Sequence, residues 1–125
     1  MARVLIVDDS KTETFWLQEC LTRNGHDVMT ASNGADGVTV AQRRQPDVIL
    51  MDIVMPGLNG FQATRQLTTT QETRHIPVII VTSKRQQTDE VWGRRQGATG
   101  YLTKPVEERM LLEEVNRVLC LAFPT

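Results

Sequence analysis

The sequence predicts an α/β protein in which a parallel five-stranded sheet is covered by helices on both faces. Short apolar runs alternate with segments of helical periodicity five times, and the connections between them are short. Runs of four apolar residues, such as 48–51, are too short for a buried helix and suit a strand that is covered on both faces. With right-handed crossovers between successive strands, this alternation predicts a parallel sheet covered by helices on both faces.

The first strand–helix unit begins with a strand at residues 4–7. Ser10 is a favourable N-cap, and Glu13 completes the spacing of a capping box, so a helix is expected from there to about Asn24. Phe15 points away from the apolar stripe and is expected to be exposed, either as an isolated surface aromatic or as a partner contact beside a site. The stripe itself comprises Trp16, Leu17, Cys20 and Leu21.

The second unit has a short, more polar strand at residues 27–31. Asn33 then caps a helix that extends to about Gln45, with Val38 and Ala41 facing inward. A polar strand belongs at the edge of a sheet. This favours the flavodoxin-like strand order 2-1-3-4-5, a three-layer (βα)5 sandwich whose switch point lies between the first and third strands.

The last three units complete the alternation. The predicted elements are a strand at 48–51, a helix at about 60–69, a strand at 78–81, a helix at about 86–96, a strand at 100–102 and a helix at about 107–121. The fourth helix is the weakest, because Gly93 at its middle costs roughly 1 kcal/mol relative to alanine and its apolar face is only Val91 and Trp92. The last helix has a full apolar stripe, comprising Met110, Leu111, Val115, Val118 and Leu119.

The composition is that of one ordinary globular domain spanning residues 1–125, with 23% charged and 40% hydrophobic residues. A net charge of −1 gives no reason to expect nucleic acid or an anionic membrane as partner. No apolar run could span a bilayer and no signal peptide is apparent, so a cytoplasmic protein is expected. Cys20 and Cys120 are expected to be reduced, half-buried thiols, and His26 and His75 lack the spacing of zinc ligands.

Polar and charged residues follow four of the predicted strands: Asp8-Asp9-Ser10, Asp52, Thr82-Ser83-Lys84 and Thr103-Lys104-Pro105. The carboxyl ends of parallel strands meet at one edge of the sheet, where ligands bind. Three aspartates carry a charge of −3, which Mg²⁺ and Lys104 together balance. Asp52 could then attack a phosphoryl group, and the Thr82 hydroxyl could donate to a phosphoryl oxygen. Taken singly, the same residues also fit plainer roles: helix-start acids for Asp8 and Asp9, a loop cap for Thr82, a solvated Lys104 and a core Tyr101.

Four motifs resemble the receiver domains of two-component response regulators, and the resemblance spans essentially the whole chain. They are residues 5–10 (LIVDDS), 51–60 (MDIVMPGLNG), 81–83 (VTS) and 101–105 (YLTKP). The resemblance implies that Asp52 accepts phosphate from a histidine kinase or a histidine phosphotransfer domain. It also implies a role for each matched residue: Asp8, Asp9, Asp52 and the backbone carbonyl of Val54 as Mg²⁺ ligands, Lys104 as a phosphoryl contact before a cis peptide to Pro105, Thr82 as switch hydroxyl and Tyr101 as switch aromatic.

Activation would then be a population shift that remodels the face made by the fourth helix, the fifth strand and the last helix. Lys84, Arg85, Arg94 and Arg95 on that face are either solvated charges or a docking patch for an acidic partner. The sequence shows no output domain, so output is expected through protein contacts, through phosphate shuttling or from a module outside this sequence. A monomer is expected that is not itself an enzyme with separate substrate turnover. Residues 52–67 and 91–98 look most like the stand-alone regulators of type IV pilus twitching motility, the PilH-like group.

Three alternatives remain open at this stage. The chain could be a phosphate sink for a sister regulator. It could be an aspartate-nucleophile phosphatase, although Val54 stands where an acid/base residue would be wanted. It could bind FMN at the same edge, although Asp8-Asp9 would repel the flavin phosphate. Val54 also offers no polar group to position a hydrolytic water, so the lifetime of the phosphate is left open.

Overall fold

The computed structural model describes residues 2–83 and 86–122, in which five strands alternate with five helices. In chain order they are β1 (Arg3–Val7), α1 (Lys11–Arg23), β2 (Asp27–Ala31), α2 (Gly34–Arg44), β3 (Val48–Met51), α3 (Gly60–Thr69), β4 (Val78–Thr82), α4 (Gln87–Arg95), β5 (Gly100–Thr103) and α5 (Glu108–Ala122). All strand pairs are parallel, in the order β2-β1-β3-β4-β5. The predicted fold and strand order are confirmed, with the polar second strand at an edge.

Side-chain caps fix where the first three helices begin. The Ser10 hydroxyl accepts from the backbone N–H of Glu13, and the Asn33 side chain accepts from that of Asp36. Asn59 and Gln62 form a reciprocal capping box at the start of α3. The N-cap of α4 makes no side-chain cap hydrogen bond within the described part of the chain. Because a cap contributes about 1 kcal/mol, α4 is the least supported of these four helices.

The sheet separates two apolar layers, because alternate strand residues face opposite sides. Between the sheet and helices α1 and α5 lie Val4, Ile6, Leu17, Leu21, Leu50, Ile79, Leu111, Val115 and Val118. Between the sheet and helices α2 and α3 lie Leu5, Val7, Ala41, Ile49, Met51, Ala63, Leu67 and Val78. A third, small cluster contains Ile53, Ile80 and Ala98, with Phe61 and Tyr101 packed against it. This third cluster connects the loop after β3 with β4, β5 and the end of α4.

Three helical stripes differ from prediction. Trp16 and Met110 are 39% and 49% exposed, whereas the adjacent Leu17 and Leu111 are buried. The buried stripes of α1 and α5 are therefore narrower than predicted. In α4 the predicted apolar face is wrong: Val91 and Trp92 are 46% and 50% exposed, and Gly93 is the buried residue. A Cβ on Gly93 would lie 2.6 Å from Ile80 Cδ1, so the helix backbone itself approaches the sheet.

Both cysteines are free thiols, but Cys20 is buried and Cys120 exposed, whereas both were predicted to be half-buried. Burial, as the largest cause, raises the pKa of the Cys20 thiol. Phe15 is 64% exposed, as predicted. In residues 2–83 and 86–122 no helix has the length and apolar character needed to cross a bilayer.

Candidate functional site at the carboxyl edge of the sheet

The β1–β3 ladder places two aspartates side by side. Val7 pairs with Met51 as the last step of the register, so Asp8 and Asp52 leave the sheet at the same level. The backbone N–H of Asp52 donates to the Val7 carbonyl at 2.9 Å, which extends the ladder by one residue. This is the switch point that the predicted strand order places between the first and third strands.

Three carboxylates converge at this point. One oxygen from each of Asp8, Asp9 and Asp52 lies within 4.8 Å of the others. Asp8 and Asp52 are buried, at 4% and 7% exposure, while Asp9 is exposed. An octahedral Mg²⁺ with bonds of about 2.1 Å spans about 4.2 Å between opposite oxygens, so small side-chain rotations would fit all three aspartates to one ion. Hard carboxylate oxygens at this spacing are the donors that Mg²⁺ prefers.

Lys104, which follows β5, reaches across to the aspartates. Its Nζ donates to Asp8 Oδ2 at 2.8 Å and lies 3.8 Å from Asp52 Oδ2. The Lys104–Pro105 peptide bond is cis, as the resemblance implied, and the Lys104 N–H donates to the carbonyl of Thr82. Burial by itself lowers the pKa of Lys104, but the hydrogen bond to Asp8 and the charges of Asp52 and Asp8 outweigh it and raise the pKa overall. Lys104 is therefore a fixed cation in the site.

Asp8 is held at both oxygens. The Ser10 backbone N–H donates to Oδ1 at 2.8 Å, and Lys104 donates to Oδ2. From the sequence only a capping role was expected for Ser10, and its contact with Asp8 was not predicted. An acid two residues before a helix N-cap was the available signal, because a short carboxylate there can accept a nearby N–H.

The environment of Asp52 disfavours its charge. Burial raises the pKa of Asp52 to about 6; Lys104 counteracts this, the Asp8 charge adds to it, and hydrogen bonds from the backbone of Val54 and Ile53 lower it. Repulsion by the Asp8 carboxylate contributes to the raised pKa of Asp52, but burial is the larger cause. At neutral pH Asp52 remains ionised, and three carboxylates with one lysine leave a local charge of about −2 that a divalent cation would neutralise.

Thr82 and Tyr101 lie on the neighbouring strands β4 and β5. Thr82 ends β4 and is completely buried, and Tyr101 pairs with Ile80 of β4 and is half-buried. Burial, with the charges of Asp89 and Glu90, raises the pKa of Tyr101 to about 12, so its hydroxyl stays protonated. The side chain of Val54 is 54% exposed at the mouth of the site.

Two of the four residues of the predicted basic patch lie in the described part of the chain, and a docking role for the patch stays a prediction. Arg94 is engaged within the chain, with Nε 3.3 Å from Glu90 Oε2 and Nη1 donating to the Thr99 carbonyl at 3.2 Å. Arg95 lines a shallow cavity with Val91 and Trp92. Lys84 and Arg85 lie outside the described residues.

A larger cavity of about 580 Å³ adjoins Asp8 and Asp9 on the side of α1 and α2. The exposed ring of Phe15 lines it, together with Val40. A partner contact by Phe15 stays a prediction, since nothing in the structure tests it.

The fold and this acidic edge define a class of protein. Residues 4–116 match the response regulator receiver domain family, and the chain belongs to that family. Its sequence is 65% identical to protein PilH of Pseudomonas aeruginosa over 119 aligned residues. The alignment covers 95% of this chain and 98% of PilH. It is also 40% identical over 115 residues to the response regulator PleD of Caulobacter vibrioides, covering 92% of this chain but 25% of PleD. The chain is therefore a PilH-like receiver domain.

Solved structures agree with this assignment. The chemotaxis protein CheY4 of Vibrio cholerae superposes with a TM-score of 0.89 at 32% identity, covering 94% of this chain and 98% of CheY4. The receiver domain of a Pseudomonas aeruginosa sensor histidine kinase superposes with a TM-score of 0.87 at 29% identity, covering 94% of this chain and 97% of that domain. The latter structure has a magnesium ion coordinated in its active-site cleft.

Proposed function

We propose that the chain is a phosphoacceptor switch in which Asp52 takes a phosphoryl group from a histidine kinase or a histidine phosphotransfer domain in the presence of Mg²⁺. The observation that carries the proposal is the convergence of Asp8, Asp9 and Asp52 within 4.8 Å, with Lys104 Nζ 2.8 Å from Asp8 and 3.8 Å from Asp52. A structural role alone does not explain three carboxylates at one sheet edge, because their repulsion disfavours folding.

Asp8, Asp9, Asp52 and the backbone carbonyl of Val54 would hold the magnesium ion. When bound, Mg²⁺ neutralises charge on the carboxylates and on the incoming phosphoryl oxygens. The magnesium ion in the active-site cleft of the related receiver structure supports magnesium binding by this chain. Asp9 is the exposed member of the cluster.

In the proposed reaction a carboxylate oxygen of Asp52 forms a bond to phosphorus. The bond between phosphorus and the donor's imidazole nitrogen breaks, and that nitrogen keeps the electron pair and takes a proton. Lys104 is already 3.8 Å from Asp52 Oδ2, so its ammonium group can contact a phosphoryl oxygen on Asp52 after a small shift away from Asp8. Catalysis is thus positioning and charge neutralisation, in an acceptor that turns over no separate substrate.

The switch would run from Thr82 through Tyr101 to the surface. We infer that the Thr82 hydroxyl moves to donate to the phosphoryl group and that Tyr101 turns further into the space vacated. Tyr101 packs against the cluster of Ile53, Ile80 and Ala98, so its movement would be transmitted through this cluster to α4. The resulting output surface would be the α4-β5-α5 face, where Val91 and Trp92 already stand exposed.

The 65% identity to PilH supports a place in twitching-motility or chemotaxis-like signalling in the cytoplasm. An output regulator would present its phosphorylated face to a downstream protein. A phosphate sink would accept and release phosphate without such a partner. Binding of a downstream protein that depends on both Asp52 and Trp92 favours the output role, and phosphate consumption unaffected by Trp92→Ala favours the sink.

Intact mass measurement tests the proposal. Wild-type protein mixed with acetyl phosphate and Mg²⁺ should gain the mass of one phosphoryl group, and Asp52→Asn should gain none. Asp27→Asn is a matched control, since Asp27 is an exposed aspartate at the start of β2. Phosphorylation of Asp52→Asn at the wild-type level, or a wild-type reaction unaffected by removal of Mg²⁺, would contradict the proposal.

A further inference from the structure

Helix α4 is attached to the rest of the fold by little apolar packing. Its two large apolar residues, Val91 and Trp92, face outward, and Gly93 is its buried residue. A glycine contributes no side chain to a core, so the apolar surface that α4 buries is small for a helix of nine residues. Polar contacts therefore matter more for the position of α4.

A group of polar contacts joins α4 to β5 and α5, and we call it the Glu114 cluster. Arg117 donates to Glu114 through Nε at 2.7 Å and Nη2 at 3.0 Å, and Nη2 also donates to the Thr99 carbonyl at 3.0 Å. Arg94 of α4 donates to the same carbonyl at 3.2 Å and pairs with Glu90. Glu114 Oε2 in turn accepts from the backbone N–H of Tyr101 at 3.3 Å.

The geometry distinguishes this cluster from ordinary surface ion pairs. The side chain of Glu114 is only 16% exposed, although that of Arg117 is 46% exposed. Their contact is bidentate, which is the stronger form of a carboxylate–guanidinium pair. The hydrogen bond from Arg117 is the main cause that lowers the pKa of Glu114. By contrast, Arg109 and Glu113 on the same helix are 3.7 Å apart and 80% and 69% exposed. Pairs of that kind contribute little.

We propose that the Glu114 cluster is a polar latch. The Thr99 carbonyl joins Arg94 of α4 to Arg117 of α5, and Glu114 fixes Arg117 against the Tyr101 amide of β5. Loosening α4 then requires hydrogen bonds of charged groups to break, while little apolar surface is uncovered. The latch is a property of the unphosphorylated fold. The further step, in which release of α4 changes the output face during signalling, rests on the proposed function.

Hydrogen–deuterium exchange on Glu114→Gln tests the latch directly. Amides of α4 and the amide of Tyr101 should exchange about three- to tenfold faster than in the wild type, because the anionic acceptor that fixes Arg117 is lost. Glu113→Gln is the matched control, one residue away on the same helix, and should leave α4 exchange unchanged. Raising the ionic strength should speed α4 exchange in the wild type more than in Glu114→Gln.

The latch is overturned if α4 in Glu114→Gln exchanges as in the wild type, or if α1 is accelerated as much as α4, which would mean general destabilisation. If Glu114→Gln does not fold, Arg117→Lys provides the same test, because a lysine keeps the charge but cannot contact Glu114 and Thr99 as a fork. The measurement uses no phosphodonor, so its failure leaves phosphorylation of Asp52 untouched, and a failure of phosphorylation leaves the latch standing.

Discussion

Asp52 occupies a position where an ionised carboxylate is disfavoured. It directly follows a fully buried strand, it is 7% exposed, and its neighbour Asp8 carries a like charge. A neutral side chain of the same shape would be easier to accommodate. This cost to stability is the expected signature of a residue kept for function and not for packing.

We expect Asp52→Asn to stabilise the protein at neutral pH in the absence of divalent cations. The pKa of Asp52 is raised from 3.8 to about 6, so the folded state binds this proton more tightly than the unfolded state, and wild-type stability falls as pH rises from about 4 to 6. The variant lacks this loss and should be more stable by about 1–3 kcal/mol at pH 7.5. Urea unfolding at pH 4 and pH 7.5 checks it. A variant advantage that does not shrink at pH 4 would contradict the account.

Lys104 should matter for stability as well as for chemistry, because it neutralises the buried carboxylate of Asp8. Lys104→Met leaves Asp8 Oδ2 without its 2.8 Å donor and should lower the free energy of unfolding by about 1–3 kcal/mol. Lys11→Met is the control, since Lys11 is exposed at the start of α1. Equal unfolding midpoints for the two variants would show that the Asp8–Lys104 pair is energetically unimportant.

At the scale of elements, α4 departs most from the usual amphipathic helix. Its backbone, not a side chain, contacts the sheet at Gly93, and the nearest atom to an added Cβ is the flexible Cδ1 of Ile80. The helix is correspondingly uncapped at its start within the described residues and depends on the polar contacts of the Glu114 cluster.

A substitution series at Gly93 measures how closely α4 approaches the sheet. Gly93→Ala should change the free energy of unfolding by less than about 1 kcal/mol, because better helix propensity offsets a contact that Ile80 can relieve by changing rotamer. Gly93→Val should destabilise by about 1–3 kcal/mol, because its branches have no free space. Chemical denaturation of both variants provides the check, and a neutral Gly93→Val would mean that α4 is not closely packed.

The presence and approximate bounds of the helices could be predicted from the sequence, but the burial of individual residues could not. Caps such as Ser10 and Asn33 are local, so the sequence alone located them. Trp16 and Met110 sit at the margins of correctly identified stripes, where burial depends on how far the neighbouring helix extends. The inward face of α4 could not be read, because a glycine that faces the core gives no hydrophobic signal.

At the scale of the whole molecule, the strand order brings together residues that are far apart in sequence. The proximity of Asp8, Asp52 and Lys104 was predictable, because each follows a strand and parallel strands share one carboxyl edge. The cluster of Ile53, Ile80 and Ala98 and the contact between Glu114 and Tyr101 were not predictable, because they depend on how helices are set over the sheet and not on strand periodicity.

Magnesium should stabilise the whole fold. An ion that binds only the folded state at a hundred times its dissociation constant adds about 2.7 kcal/mol to the free energy of unfolding. Thermal unfolding with increasing MgCl₂ should therefore shift to higher temperature in the wild type. Asp9→Asn, which removes an exposed carboxylate, should fold normally and lose most of this shift. Equal shifts in the two proteins would exclude Asp9 as a ligand.

The identity of the phosphorylated residue tests the central claim most directly. Borohydride reduces an aspartyl phosphate to homoserine, so treating the Mg²⁺- and acetyl phosphate-loaded protein with borohydride marks the acceptor for peptide mass analysis. The account predicts homoserine at position 52, with Asp8 and Asp9 unmodified. Homoserine at position 8 or 9, or at no position in a protein shown to carry phosphate, would contradict it.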